Sequence, residues 1–181
     1  SLVAAIMDHA GMDPTVVIGG KVNSMGTNAR LGQGEYLVAE ADESDGSFLK
    51  LSPTIAVVTN IDPEHMDHYG DLERLEETFL DFVNKVPFYG LSVLCLDCDS
   101  IRRLLPRVEK RCVTYGSTPQ ADYSLRDVTS NGLSMSFTPV RHGAALEPVQ
   151  LQMVGRHNVL NALAAVAVAD ELEIPYERTR E

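Results

Sequence analysis

Continuous apolar runs, separated by turns rich in glycine and aspartate, dominate the first two-thirds of the chain. Such runs are typical of parallel strands that are covered on both faces, because a strand exposed on one face alternates apolar and polar positions. The runs predict five short strands, at residues 15–18, 36–39, 55–59, 93–96 and 112–115. Segments with helical apolar spacing lie between or before them, at residues 2–10, 72–85 and 100–105. This alternation predicts an α/β domain with a mostly parallel sheet flanked by helices.

The pattern changes after residue 130. Leu133, Met135 and Phe137 alternate with polar residues, and residues 149–153 repeat that alternation. Half-exposed antiparallel strands have this period, so we expect a small antiparallel sheet appended to the parallel one. A last helix, rich in alanine and valine, is predicted from Asn158 to about residue 172. Pro175 then leaves six residues, which we expect to be too few for a further element.

Composition narrows the classes of function. The chain has 181 residues, of which 44% are hydrophobic, enough for one domain with its own core. Its formal net charge is −11, and such an acidic surface disfavours nucleic acid as a partner. No apolar run approaches the roughly 20 residues that span a bilayer, so no membrane partner is expected. Three cysteines without a signal peptide favour a reducing cytosol.

Acidic residues and histidines follow two neighbouring predicted strands. They are Glu40 and Asp42 after one strand, and Asp62, His65, Asp67 and His68 after the next. Ligands of open α/β sheets bind beyond the carboxyl ends of the strands. Carboxylate oxygens with an imidazole nitrogen there suit Mg²⁺ or Mn²⁺ better than a structural zinc ion. Solvated loop carboxylates are the alternative, and spacing alone leaves both interpretations open.

Two further patterns have competing interpretations. Cys95 and Cys98 have C-x-x-C spacing, but only Cys112 could add a third thiolate, so a zinc site is disfavoured and Cys95 is expected in the core. Asn158 and Asn161 share one helical face at a strand-to-helix junction, where amides could read a purine edge. The residue pattern alone favours the simpler interpretation, in which Asn158 is the N-cap of the helix.

Four segments taken together resemble the Mur ligases. They are Glu40-Ala-Asp-Glu-Ser-Asp-Gly-Ser-Phe48, Thr59-Asn-Ile-Asp-Pro-Glu-His-Met-Asp67, Asn84-Lys-Val-Pro-Phe-Tyr-Gly90 and Gly155-Arg-His-Asn-Val-Leu-Asn-Ala-Leu-Ala-Ala165. The resemblance runs over nearly the whole chain and implies the central, P-loop NTPase-like domain of a three-domain ligase that builds peptidoglycan in the bacterial cytoplasm. Residues 1–175 would be that domain without its N-terminal phosphate loop, and residues 176–181 would begin the link to a C-terminal domain. The isolated chain is therefore expected to be inactive.

The resemblance also assigns roles to individual residues. It implies ATP and Mg²⁺ (or Mn²⁺) as cofactors, with Glu40 and His65 as catalytic metal ligands. His157, Asn158 and Asn161 would bind the nucleotide, by contact with adenine. The loop that contains Asn28 and Arg30 would line the path of the UDP-sugar substrate.

The acidic segment is most similar to the family member that joins L-alanine to UDP-N-acetylmuramate. Two alternatives stay open. One is a recycling ligase that attaches a whole peptide to the same sugar nucleotide, and the other is a non-catalytic module that binds a nucleotide or a metal ion.

Overall fold

The fold is known from a computed structural model that describes residues 1–18, 29–41, 46–63 and 69–181. Five helices lie within these ranges. They are α1 (Leu2–His9), α2 (Leu72–Val83), α3 (Asp99–Leu104), α4 (Arg156–Glu171) and α5 (Tyr176–Arg180). Two short 3-10 helices occupy Ser47–Lys50 and Leu105–Arg107. None of the helices in the described ranges is long and apolar enough to cross a membrane.

The described strands form two sheets. In the smaller one, β1 (Thr15–Val17) pairs in parallel with β3 (Leu37–Ala39) and antiparallel with β2 (Ala29–Arg30). In the larger one, β4 (Ile55–Val58), β5 (Leu91–Cys95) and β6 (Cys112–Tyr115) are parallel neighbours. The predicted α/β class, with parallel strands flanked by helices, is therefore confirmed.

The antiparallel strands continue the larger sheet. They are β7 (Tyr123–Ser130), β8 (Met135–Arg141), β9 (Ala144–Ala145) and β10 (Val149–Leu151). β7 joins β6 in parallel through Tyr115 and Tyr123, and then pairs antiparallel with β8. The sequence did not predict β7, because a register shift between Arg126 and Thr129 interrupts its period of two. Asp127, inside that shift, has a φ of 55°.

Helix α4 connects the two parts of the core. Val159 and Leu163 are fully buried in the main hydrophobic cluster, which includes residues of β4 to β8. Near the other end of the same helix, Ala169 packs with Met7 of α1, and α1 in turn covers Val16 of β1. The many alanines of α4 allow these elements to approach the helix closely, because a methyl side chain adds little bulk. Helix α4 is therefore packed directly on the larger sheet and is linked to the smaller sheet through α1.

The prediction that no element follows Pro175 is wrong. Pro175 is the N-cap of α5, where its fixed φ and missing N–H are compatible with the start of a helix. Tyr176 donates a hydrogen bond from Oη to the carbonyl of Glu147 at 2.6 Å, and Thr179 is buried. The short helix is thus stabilised by tertiary contacts, and six residues of sequence alone do not indicate them.

Candidate active site

The carboxyl end of β3 presents Glu40 to solvent. Its backbone N–H donates to the carbonyl of Val17 at 2.9 Å, which extends the parallel pairing of β1 and β3 by one step. The Glu40 side chain is exposed. The backbone is therefore fixed while the carboxylate is free to meet a ligand from solvent. Asp42 and Asn28, also singled out from the sequence, lie outside the described residues.

The carboxyl end of β4 is a turn held by its own polar side chains. Thr59 Oγ1 donates to Asn60 Oδ1 at 3.2 Å, and Asn60 Nδ2 donates to Asp62 Oδ2 at 2.6 Å. Ile61, between them, is buried, and its backbone N–H donates to Cys98 Sγ at 3.4 Å. The described part of this loop is therefore ordered by contacts on both sides.

Only part of the predicted metal site lies within the described residues. His65, Asp67 and His68 lie outside the described residues. Among the residues that are described, no group of three or more His, Cys, Asp or Glu side chains could hold a metal ion. The exposed carboxylate of Glu40 is a donor of the type that Mg²⁺ prefers. Metal binding by Glu40 and His65 stays a prediction.

The amino end of α4 differs from the prediction. The helix begins at Arg156, and its N-cap is Gly155, so Asn158 is not the cap. Gly155 has a φ of 103°, a conformation that other residues rarely adopt, and this is why a glycine occupies the cap. Asn158 instead donates from Nδ2 to the carbonyl of Val154 at 2.8 Å. This bond leaves the Asn158 Oδ1 oxygen available as an acceptor.

His157 and Asn161 complete this segment. The His157 ring lies against Gly155, so closely that a Cβ on residue 155 would be 2.7 Å from the ring carbon Cε1. His157 and Asn161 are both exposed, and Asn158 is half-buried. The structure thus brings the three predicted nucleotide-binding residues together within about one turn of α4.

Arg30 lies elsewhere. Its Nη2 donates to Asp8 Oδ1 at 2.9 Å and to the carbonyl of Pro14 at 3.1 Å. The hydrogen bond from Arg30 holds the pKa of Asp8 below its ordinary value. Since Pro14 precedes β1, the guanidinium is at the amino end of that strand, whereas Glu40 follows the carboxyl end of its parallel neighbour. The structure gives no support to the substrate contact predicted for Arg30, and that role stays a prediction.

Sequence reasoning missed Asp97. Its Oδ1 accepts a hydrogen bond from the backbone N–H of Ser117 at 2.8 Å, which ties the carboxyl ends of β5 and β6 together. A Cβ at Gly116 would be 2.6 Å from the same oxygen, so the close approach needs a glycine. The signal was present in the sequence, since Asp97 follows an apolar strand just as Asp62 does.

A surface groove among the described residues lies away from these strand ends. It measures about 600 Å³ and lies between α2 and α3. Ion pairs of Glu76 with Arg103 and of Glu77 with Arg107 cross the same region. No predicted site residue contributes to its walls. The groove is therefore a surface feature of the helices rather than the predicted site.

Comparison with known proteins gives a consistent result. The model of the Mur ligase middle domain matches residues 1–169. A UDP-N-acetylmuramate–L-alanine ligase of Sorangium cellulosum is 60% identical over 181 residues, which are 100% of this chain and 39% of that protein. The chain thus spans about two-fifths of the length of this curated relative.

Solved structures agree with this match. The crystal structure of UDP-N-acetylmuramate–alanine ligase from Thermotoga maritima has a TM-score of 0.85 at 28% identity, over 99% of this chain and 40% of that one. A Neisseria UDP-N-acetylmuramate:L-alanyl-γ-D-glutamyl-meso-diaminopimelate ligase has a TM-score of 0.87 at 26% identity, over 99% and 59%. Because the family model matches nearly the whole length of this chain, the chain belongs to the Mur ligase family, as a middle domain.

Proposed function

We propose that the whole protein is an ATP-dependent ligase that joins L-alanine to UDP-N-acetylmuramate in peptidoglycan synthesis. The observation that carries this proposal is the 60% identity to the Sorangium cellulosum ligase over the full chain. In the proposed reaction, the substrate carboxylate attacks the γ-phosphorus of ATP, and the amine of L-alanine then attacks the resulting acyl phosphate. Because the proposed reaction consumes ATP, the proposal includes a location in the bacterial cytoplasm.

This chain would supply the nucleotide-binding domain, at residues 1–175, without the phosphate loop. No G-x-x-G-K-[ST] sequence occurs within residues 1–181. Among the described strands, β3 lies at one edge of the smaller sheet and β4 at one edge of the larger sheet, and Leu37 on β3 is 62% exposed. These two edges support the proposal that further β-structure, carrying the loop, completes the domain. Sequencing the reading frame upstream of Ser1 tests it, and a frame without the motif would contradict it.

Glu40 and His65 are the proposed metal ligands. A Mg²⁺ ion that enters with ATP would neutralise the charge that gathers when a carboxylate attacks a phosphate. Glu40 is suited to this role because its backbone is fixed by Val17 while its carboxylate stays exposed. The polar turn from Thr59 to Asp62, whose side chains bind one another, precedes His65 in the sequence.

The amino end of α4 is the proposed adenine site. Asn158 keeps a free acceptor oxygen, and Asn161, which is exposed, offers both a donor and an acceptor on the next turn. The His157 ring, which lies against Gly155, provides a flat surface on which a base can stack. These groups match the donor and acceptor edge and the apolar face of a purine.

Substitution of Glu40 in the full-length protein tests the proposal. We expect Glu40→Gln to lower kcat by about tenfold or more, and to raise the Mg²⁺ concentration needed for half-maximal rate, with an unchanged melting temperature. Glu35→Gln is the matched control, since Glu35 is an exposed glutamate before β3, at the opposite end of the strand. His65→Ala is expected to behave as Glu40→Gln does. Wild-type kinetics for both variants would show that these are merely solvated loop residues.

A second candidate is the recycling ligase that attaches a whole peptide to UDP-N-acetylmuramate. The TM-score of 0.87 to the Neisseria ligase favours it, although the identity is only 26%. ADP release by the full-length protein, measured with L-alanine and with the tripeptide in parallel, distinguishes the two candidates.

A further inference from the structure

We propose that Cys98 is a positioning residue, whose thiol holds the carboxyl end of β4 where the ligase reaction needs it. This inference rests on the proposed function, because the loop after β4 leads to the proposed metal ligand. The carrying observation is the hydrogen bond from the backbone N–H of Ile61 to Cys98 Sγ at 3.4 Å.

The contact joins the two loops that follow the carboxyl ends of β4 and β5. β4 and β5 are parallel neighbours in the register Val58 to Leu94, so the segments that follow them leave the sheet side by side. Ile61 is the third residue after β4, and Cys98 is the third after β5. Their side chains both belong to the main hydrophobic cluster, Ile61 as a buried member and Cys98 as a half-buried neighbour.

The bond fixes the middle of the polar turn. Asn60 and Asp62 flank Ile61 and bind each other on the solvent side, while Ile61 faces inward. Loss of the sulfur acceptor would leave the N–H of Ile61 without this partner, next to a side chain that is buried in the main hydrophobic cluster. A buried donor without a partner is unfavourable, so the turn would shift to find water.

Cysteine at this position is not explained by its own helix. Cys98 is the N-cap of α3, yet its side chain accepts no hydrogen bond from that helix. Serine, aspartate and asparagine are the favoured residues at an N-cap, because an oxygen on a short side chain reaches the first free N–H groups. The longer C–S bond lets the thiol reach across to Ile61 instead. The position therefore serves the neighbouring loop and not the helix that it begins.

The test uses the full-length protein and three variants. Cys98→Ala removes the acceptor. Cys98→Ser replaces the sulfur with an oxygen on a shorter bond, which is better placed to accept a hydrogen bond from the first N–H groups of α3. Cys112→Ala is the matched control, since Cys112 is also half-buried but begins β6, so it lies at the amino ends of the parallel strands and not at their carboxyl ends. Hydrogen exchange of the peptide that contains Ile61, melting temperature, kcat, and the Mg²⁺ concentration for half-maximal rate are measured for each variant.

We expect both Cys98 variants to lose protection at Ile61, to lower kcat by about tenfold, and to need more Mg²⁺, with Cys98→Ser melting no lower than wild type. Cys112→Ala should match wild type in exchange and kinetics. If Cys98→Ala fails to fold, Cys98→Ser decides the question. If Cys98 had only a structural role, kcat would follow stability, and the serine variant, which caps α3 better, would be fully active.

Unchanged exchange at Ile61 would show that the contact is not formed, and lost protection with wild-type kinetics would overturn the positioning role. An equal loss of kcat in Cys112→Ala would also overturn it. The exchange measurement does not depend on catalysis. Wild-type protein without ligase activity would therefore refute the proposed function, while exchange still decides whether Cys98 holds the loop.

Discussion

Asp170 joins α4 to the antiparallel strands, and its replacement by asparagine should destabilise the fold measurably. One carboxylate oxygen accepts from Tyr123 Oη at 2.8 Å, and the other accepts from Arg141 Nη1 at 2.7 Å. Tyr123 is 5% exposed, so its hydroxyl has little access to water. Burial, together with the hydrogen bond to Asp170, raises the pKa of Tyr123. The phenol therefore stays protonated and donates at neutral pH.

Asparagine has the same shape but only one acceptor oxygen. Asp170→Asn removes the charge from both hydrogen bonds, and with its oxygen accepting from Arg141 its amide nitrogen meets Tyr123 only if the phenol gives up its role as donor and accepts instead. A hydrogen bond to a charged group contributes about 1.5–3 kcal/mol. The Arg141 side chain is 39% exposed, so its share is reduced by solvent screening. We expect a loss of about 2 kcal/mol, which for a chain of this length lowers the melting temperature by about 4–8 °C.

Urea unfolding followed by circular dichroism measures this loss. Asp127→Asn is the control, because it makes the same chemical change at a side chain that is 71% exposed and forms an ion pair with its neighbour Arg126 at 3.4 Å. Tyr123→Phe in both backgrounds completes a double-mutant cycle with Asp170. If Asp170→Asn were no less stable than Asp127→Asn, or if the cycle showed no coupling, α4 would not be held to the strands in this way.

Three further predictions address the cap, the core and a buried thiol. Gly155→Ala should lower stability, because the φ of 103° strains any other residue, and urea unfolding measures this loss. It should also lower nucleotide affinity, because a Cβ would displace the His157 ring, and ATP titration measures that effect. Phe137→Ala should destabilise by about 3–5 kcal/mol, since Phe137 is fully buried, and an effect below about 1 kcal/mol in urea unfolding would contradict the packing. Burial raises the pKa of the Cys95 thiol, so it should resist iodoacetamide at pH 8 in the folded chain and react once urea unfolds it; mass spectrometry detects the adduct.

Much of the architecture could be predicted because local signals and tertiary packing agree. Asp71 is the N-cap of α2, and it accepts from the backbone N–H of Arg74 at 2.8 Å, as its position before an amphipathic segment indicates. The parallel strands were visible as apolar runs because both of their faces are covered. β7 was missed because its outer half is exposed and contains the register shift at Asp127, so neither burial nor alternation marked it.

The candidate site was less predictable, because several of its features depend on contacts between distant segments. Asn158 has the residue type of an N-cap, but the positive φ of Gly155 moves the start of the helix upstream. Arg30 contacts Asp8 and Pro14 around the amino end of β1, and no pattern in its own segment indicates these contacts. The bond from Ile61 to Cys98 spans 37 residues, and no pattern in either segment indicates it.

The release of ADP by the full-length protein tests the central claim most directly. With ATP, Mg²⁺ and UDP-N-acetylmuramate present, we expect ADP to form in step with ligated product when L-alanine is added, and far less when the tripeptide replaces it. Glu40→Gln should abolish most of that release while Glu35→Gln leaves it intact. No L-alanine-dependent ADP release, or equal release with the tripeptide, would contradict the proposed function.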